Sequence, residues 1–209
     1  MLNCYRKITV LDKSTKEGMW QSWDYRHECF ELQGKTIGVI GSGFIGKEVM
    51  KRLIPFDVNI IYYDVIKLKP ADEEKYCAKY CELNELLSIS DIITIHMPVL
   101  ESTIGFMGKR EFSLMKDSSF LINTARGQLI DEDALIWALD NKKIAGAALD
   151  VFCNNPPGSD SPLLNYPNVI TTPHIGGGTI DAYRKIIKMC VDNIQKVYNN
   201  EAPDFIVNK

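Results

Sequence analysis

The chain has no apolar run approaching the ~20 residues needed to cross a bilayer. It has no excess of basic charge: 24 Lys and Arg stand against 27 Asp and Glu, for a net charge of −3. Neither a membrane partner nor a nucleic-acid partner is expected, because both need a feature that is missing. The first residues lack the succession of basic, apolar and small residues that marks a secretory signal. Repeats and low-complexity segments are missing as well. Histidine is scarce, at three residues. The six cysteines, Cys4, Cys29, Cys77, Cys81, Cys153 and Cys190, are scattered. Cys77 and Cys81 lie four apart, but no second pair or nearby histidine completes a ligand set, so no metal site is expected. Reduced thiols in a cytoplasmic protein are the expectation for such a pattern.

What is present fits an ordinary soluble domain. The 209 residues are 45% hydrophobic and 24% charged, enough for a sizeable core in one domain, or one domain with appendages. Short apolar runs at residues 37–40, 58–63, 91–96, 119–123, 146–151 and 168–172 read as strands. Between them lie helical patterns at 44–53, 83–90, 109–115 and 131–139, and a long last helix opens at Thr179 or Asp181. In that helix Ile187, Val191, Ile194 and Tyr198 share one side. Strands alternating with helices predict an α/β fold of the Rossmann type, with a doubly wound parallel sheet. Residues 1–16 are mildly helical. They lead to Trp20, Trp23 and Tyr25, three large aromatics that a short arm cannot bury by itself. These aromatics are expected to pack on the main domain or on another subunit.

The most informative stretch is Gly41-Ser42-Gly43-Phe44-Ile45-Gly46, between a buried strand and a helix. That context is what a dinucleotide fingerprint requires. Gly41 permits a sharp turn, Gly43 leaves room for a pyrophosphate, and Gly46 lets helix and strand pack closely. The free N–H groups of the helix end suit an anion. A second strand ends at Asp64, eighteen residues after Gly46. A carboxylate there accepts bonds from both adenosine ribose hydroxyls and repels a 2′-phosphate, which favours NAD over NADP. The plainer alternative is that Asp64 caps a strand and the glycines make a turn.

Three polar residues follow strands in the second half: Arg126 in Asn123-Thr124-Ala125-Arg126-Gly127, Asp150, and His174 in Thr172-Pro173-His174-Ile175-Gly176-Gly177. With His96-x-Pro98, Thr103 and Ala148-Leu149-Asp150-Val151-Phe152, these motifs stand in an order that resembles the NAD-dependent D-2-hydroxyacid dehydrogenases, from Glu17 to the C-terminus. The resemblance implies a catalytic set of Arg126, His174 and Asn155. Arg126 would hold the substrate carboxylate and polarise its 2-oxo group. His174 would exchange the proton as hydride moves. For NAD it implies contacts from Gly41, Gly43, Phe44, Ile45, Gly46, Asp64, Pro98, Thr103, Thr124, Ala125, Asp150, His174, Gly176 and Gly177. His96 would have a structural or cofactor-wall role.

Three departures from the family pattern carry expectations. Asn155 stands where the family has glutamate. An amide can orient an imidazole but adds no charge, so Asn155→Glu should move the failing limb of the pH–rate profile upward. Phe44 stands where relatives often carry arginine, with loss of one phosphate contact. The chain also begins late, so the family's substrate domain is expected to be absent. The implied division is an arm over 1–33, an NAD-binding domain over 34–178, and a helix and tail over 179–209 that would return to that domain. The expected reaction is reversible hydride transfer between NAD and a small 2-oxo or 2-hydroxy acid, in a homodimer formed through residues 1–30. The alternative is a weak or inactive NAD-binding dimerising module, a sensor or scaffold.

Overall fold

A computed structural model describes residues 1–206. The chain divides into two compact units, Met1–Pro173 and His174–Lys209. The first unit is built on a seven-stranded sheet: β1 (Thr36–Ile40), β2 (Asn59–Tyr63), β3 (Ala78–Tyr80), β4 (Ile92–Ile95), β5 (Phe120–Asn123), β6 (Gly146–Leu149) and β7 (Val169–Thr171). The strand order is β3-β2-β1-β4-β5-β6-β7, and every pairing is parallel. The doubly wound α/β sheet is therefore as expected. The chain moves outward from β1 in one direction, then returns to β4 and moves outward in the other. Sheets wound in this way have a crevice at that reversal, beyond the carboxyl ends of β1 and β4.

Both faces of the sheet are covered, which is why its central strands β1, β4 and β5 read as apolar runs rather than alternating. Side chains of α5 (Leu83–Ile89), α6 (Lys109–Leu114) and α7 (Glu132–Asp140) fill one face. There Leu86, Leu87, Phe112, Ala134 and Leu135 are fully buried with Ile93 and Ile95. The other face is filled from α1 (Leu2–Arg6), α3 (Phe44–Leu53) and α4 (Pro70–Tyr76). Tyr5, Met50 and Tyr76 pack there with Ile37, Val39 and Tyr62.

Three local features differ from the periodicity reading, the first being β3, whose three residues Ala78-Lys79-Tyr80 are too few to show a strand period. Residues 1–16 form two helices, α1 and α2 (Ile8–Lys16), because Lys7 takes a left-handed conformation at φ 48°. Residues 70–76 form α4, which has too short an apolar stripe to be read from period alone. Pro70 at its start and Asp72 and Glu73 in its first turn suit the helix dipole. The aromatics of the arm split in their surroundings. Tyr5 is buried edge-on against Phe30 and Phe120. Trp20 and Trp23 stay 81% and 72% exposed, so of the two expected resting places the main domain does not provide one.

The second unit is dominated by α8 (Ile180–Tyr198). Thr179 caps it by accepting the N–H of Ala182 at 3.1 Å. Its C-terminal turn is tied back by an ion pair between Lys196 and Asp204 and by the Asp204 N–H donating to Asn193 Oδ1 at 2.8 Å.

Candidate functional site

Gly41 is the hinge of the crevice, with φ at 96°. A Cβ there would lie 2.7 Å from the carbonyl of His96, so the turn also needs a residue without one. The Gly41 N–H donates to the Tyr63 carbonyl at 2.9 Å. The next residue, buried Ser42, donates both its N–H and its hydroxyl to Asp64 Oδ2, at 2.6 and 3.0 Å. Asp64 Oδ1 accepts the N–H of Ile66 at 3.2 Å. The capping role of Asp64 is thus real in this conformation.

Above the loop the space is open. A Cβ on Gly43 would meet nothing within 4 Å, whereas one on Gly46 would lie 2.0 Å from the Gly41 carbonyl oxygen. Gly46 is needed by the fold, and Gly43 only by something that approaches from outside. Gly43 opens α3 with no side-chain cap, so the first helical amides present donors that an anion can use. Phe44 and Ile45 project from this turn, 93% and 63% exposed. The nearby cation Lys47 faces Asp72 at 3.6 Å. These features suit an anionic group held by backbone amides.

On the far side of the crevice His96 follows β4, its N–H bonded to the Ile40 carbonyl at 2.7 Å. Its Nε2 lies 2.9 Å from Thr94 Oγ1. Burial pushes the imidazole pKa down to about 4, so His96 is neutral at physiological pH and has no proton to offer there. Thr103 is occupied locally: its hydroxyl donates to the Pro98 carbonyl at 2.9 Å and accepts the Leu100 N–H at 2.7 Å. It braces the loop that carries the exposed Pro98.

At the end of β5 the fully buried Asn123 clamps the next turn. Its Nδ2 donates to the Arg126 carbonyl at 2.8 Å, and its Oδ1 accepts the Ala125 N–H at 3.0 Å. Thr124 and Arg126 are thereby turned outward, and both are exposed. Arg126 Nη1 donates to the Ala125 carbonyl at 2.6 Å, which leaves most of the guanidinium fork facing solvent. Gly127 lets this turn press against the loop after β6: a Cβ there would lie 1.9 Å from the Phe152 carbonyl carbon. Glu132 fastens the same loop by accepting the Cys153 N–H at 2.7 Å. Asp150, at the end of β6, is buried and accepts from the Thr172 hydroxyl. A cavity of about 210 Å³ opens beside these groups, lined by Cys4, Ile122, Thr124, Asp150, Ile170 and Thr172. Asn155 lies further along the loop and is exposed.

His174, Gly176 and Gly177 belong to the second unit. His174 is exposed and left-handed at φ 53°, a conformation that costs a residue with a Cβ of order 1 kcal/mol. Beyond it the Ile175 carbonyl accepts the Gly178 N–H at 2.9 Å, which closes the turn into α8.

Sequence reasoning missed Ser42, Asn123 and Glu132, which touch the loops and not the outside. Ser42 and Asn123 sat inside motifs already singled out. Their signal was a small polar residue at a position due to be buried, where a donor or acceptor must find a partner.

Residues 1–176 match the model of a protein family described as D-isomer specific 2-hydroxyacid dehydrogenase, NAD binding domain. The chain is 42% identical, over 93% of its length and 36% of the relative's, to D-3-phosphoglycerate dehydrogenase of Archaeoglobus fulgidus. It is 39% identical to glyoxylate reductase of Thermofilum pendens, over 98% of this chain and 61% of that one. Among solved structures, D-lactate dehydrogenase with NAD+ from Lactobacillus jensenii superposes with a TM-score of 0.88 at 33% identity, over 99% of this chain and 65% of that one. The chain thus spans less than two thirds of the length of each of these relatives.

Proposed function

The chain belongs to the D-isomer specific 2-hydroxyacid dehydrogenase family, matched through its NAD-binding domain, and on that premise we propose that it binds NAD and carries the cofactor half of a reversible hydride transfer to a small 2-oxo acid. The observation that carries this reading is the glycine loop: open above Gly43, closed behind Gly46, and flanked by Asp64. When bound, the nicotinamide supplies or receives the hydride. The amides at the start of α3 would hold the pyrophosphate, and Asp64 the adenosine ribose. Thr124, Ala125 and Asp150 would line the nicotinamide end, with Pro98 and Thr103 on the opposite wall and Gly176 and Gly177 in the turn beyond His174. Arg126, held outward by Asn123, would grip the substrate carboxylate with a planar fork that matches it. His174 would give its ring proton to the carbonyl oxygen on reduction and take it back on oxidation. Asn155 would orient that ring without adding charge. Exposed Trp20 and Trp23 support a homodimer formed through residues 1–30. Six free thiols support a reducing, cytoplasmic setting.

Titration of NADH fluorescence, followed by assays with glyoxylate, hydroxypyruvate and phosphohydroxypyruvate, tests this reading. Saturable NADH binding is expected, with little or no turnover from this chain by itself, and turnover with any of the three acids supports the dehydrogenase reading outright. Arg126→Ala should lower kcat/KM by roughly 10²–10³ while NADH binding is kept. Absence of saturable NADH binding would overturn the reading. Binding without turnover on all three acids would favour an NAD-binding dimerising module, the role for which the amide at Asn155 speaks.

A further inference from the structure

The proposed ribose acceptor is already busy. A carboxylate offers about four lone-pair sites, and Asp64 commits three of them to the chain itself: two to Ser42 and one to Ile66. Ser42 is 5% exposed, so its hydroxyl reaches Asp64 and not solvent. One residue earlier, the Gly41 N–H is bonded to the Tyr63 carbonyl, the last of β2. Two consecutive residues of the glycine loop are thus fastened to the end of β2. On its other side the loop is confined by the His96 carbonyl, against which only a glycine fits at position 41.

We propose that Asp64 and Ser42 form a latch, in which the carboxylate that selects the cofactor at its ribose end also holds the glycine loop in the shape that receives the pyrophosphate. Ser42 is the positioning residue of the pair: its N–H and hydroxyl fix Oδ2, while Oδ1 accepts the Ile66 N–H and keeps its remaining lone pair. The inference rests on the NAD reading and makes it more specific. If Asp64 acted only by repelling a 2′-phosphate, any neutral residue there would relax selectivity equally. With a latch, the outcome depends on what the neutral residue can accept. The Asp64→Asn side chain keeps an oxygen for the Ser42 N–H and hydroxyl and removes the charge. The Asp64→Ala side chain removes both, and the gain from lost repulsion is offset by a loop that no longer holds its amides in place.

The test compares the full chain with its D64N and D64A variants in two measurements. The first is equilibrium binding of NADH and NADPH by fluorescence. D64N is expected to bind NADPH roughly ten-fold more tightly than D64A, the loss that one to two missing hydrogen bonds produces. The second is amide hydrogen exchange without cofactor. The Ser42 amide should exchange roughly ten-fold faster in D64A and within about three-fold of the parent chain in D64N, whereas the Ile66 amide, whose acceptor Oδ1 gives way to an NH2 group in D64N, should exchange faster in both variants. Equal NADPH affinity in the two variants, with Ser42 exchange unchanged in D64A, would overturn the latch. If the parent chain binds neither nucleotide, the functional reading falls, and the exchange rates still decide the latch.

Discussion

Helices α3 and α8 are written in the same way and end in opposite circumstances. Each has an apolar stripe at helical spacing. In α3 the stripe lands on the sheet, and Gly46, Met50 and Leu53 are buried. In α8 nothing is buried: Ile187, Val191, Ile194 and Tyr198 are 61%, 52%, 70% and 86% exposed. An apolar stripe says that a helix is built to be covered. It does not name the cover. In the first unit the cover is the chain's own sheet; in the second it is not among the described residues.

The strongest way to break this comparison is truncation on each side. Leu86→Ala, in the fully buried α5 face, should destabilise the chain by about 2–5 kcal/mol in denaturant unfolding. Ile187→Ala on α8 should stay within about 0.5 kcal/mol. A large loss at Ile187 would mean that α8 is covered in solution.

Next in size is a pH effect confined to the first unit. His96 has a pKa of about 4 when folded, against an ordinary 6.5. The unfolded chain therefore binds a proton that the folded one refuses between those values. Stability rises with pH through that window and is lost as pH falls from 6.5 toward 4, by up to about 3 kcal/mol from this group at 1.36 kcal/mol per unit. Unfolding measured across pH 4–7 should show the slope, and His96→Asn should flatten it. A slope unchanged by the substitution would place its origin elsewhere.

The fold was legible wherever the cause was local. The glycine loop could be read because Gly41, Gly43 and Gly46 sit at fixed offsets, each for a reason visible in the backbone. Six of the seven strands could be read because burial makes them mainly apolar, whereas β3, three residues with Lys79 exposed, could not. Ser42 was not legible as a partner of Asp64, because the two are separated by 22 positions and their bond depends on how β1 and β2 pair. Asn123 looked like part of a motif, and its work as a clamp appears only when the turn closes around it. Helix α4 escaped because seven residues hold barely two turns of pattern. Whether α8 or Trp20 is covered is a property of the surroundings, which no period encodes.

Two glycines sharpen the contrast within the site itself. Gly46→Ala would force a Cβ against the Gly41 carbonyl, and about 1–3 kcal/mol of stability should go with it. Gly43→Ala meets nothing, and Gly43 has an ordinary φ of −68°. Thermal unfolding without cofactor should therefore be unchanged at Gly43, while NADH affinity falls roughly ten-fold as a methyl enters the space reserved for the pyrophosphate. Equal destabilisation by both would mean that the open space above Gly43 is closed in solution.

The smallest effect on stability is expected where the exposed surface is largest. Trp23 is stacked by Arg26 at 4.0 Å, a contact worth about 0.5–1 kcal/mol at such a site, and Trp20 has less to lose. Trp20→Ala with Trp23→Ala should thus barely move the unfolding of the dilute chain. At higher concentration the two aromatics matter in proportion to what covers them. If residues 1–30 form the proposed homodimer interface, the double variant should sediment as a monomer at concentrations where the parent chain sediments as a dimer. This follows because large buried aromatics dominate interface energetics. An unchanged sedimentation coefficient would remove the arm from the interface and leave the exposed face of α8 as the next surface to test.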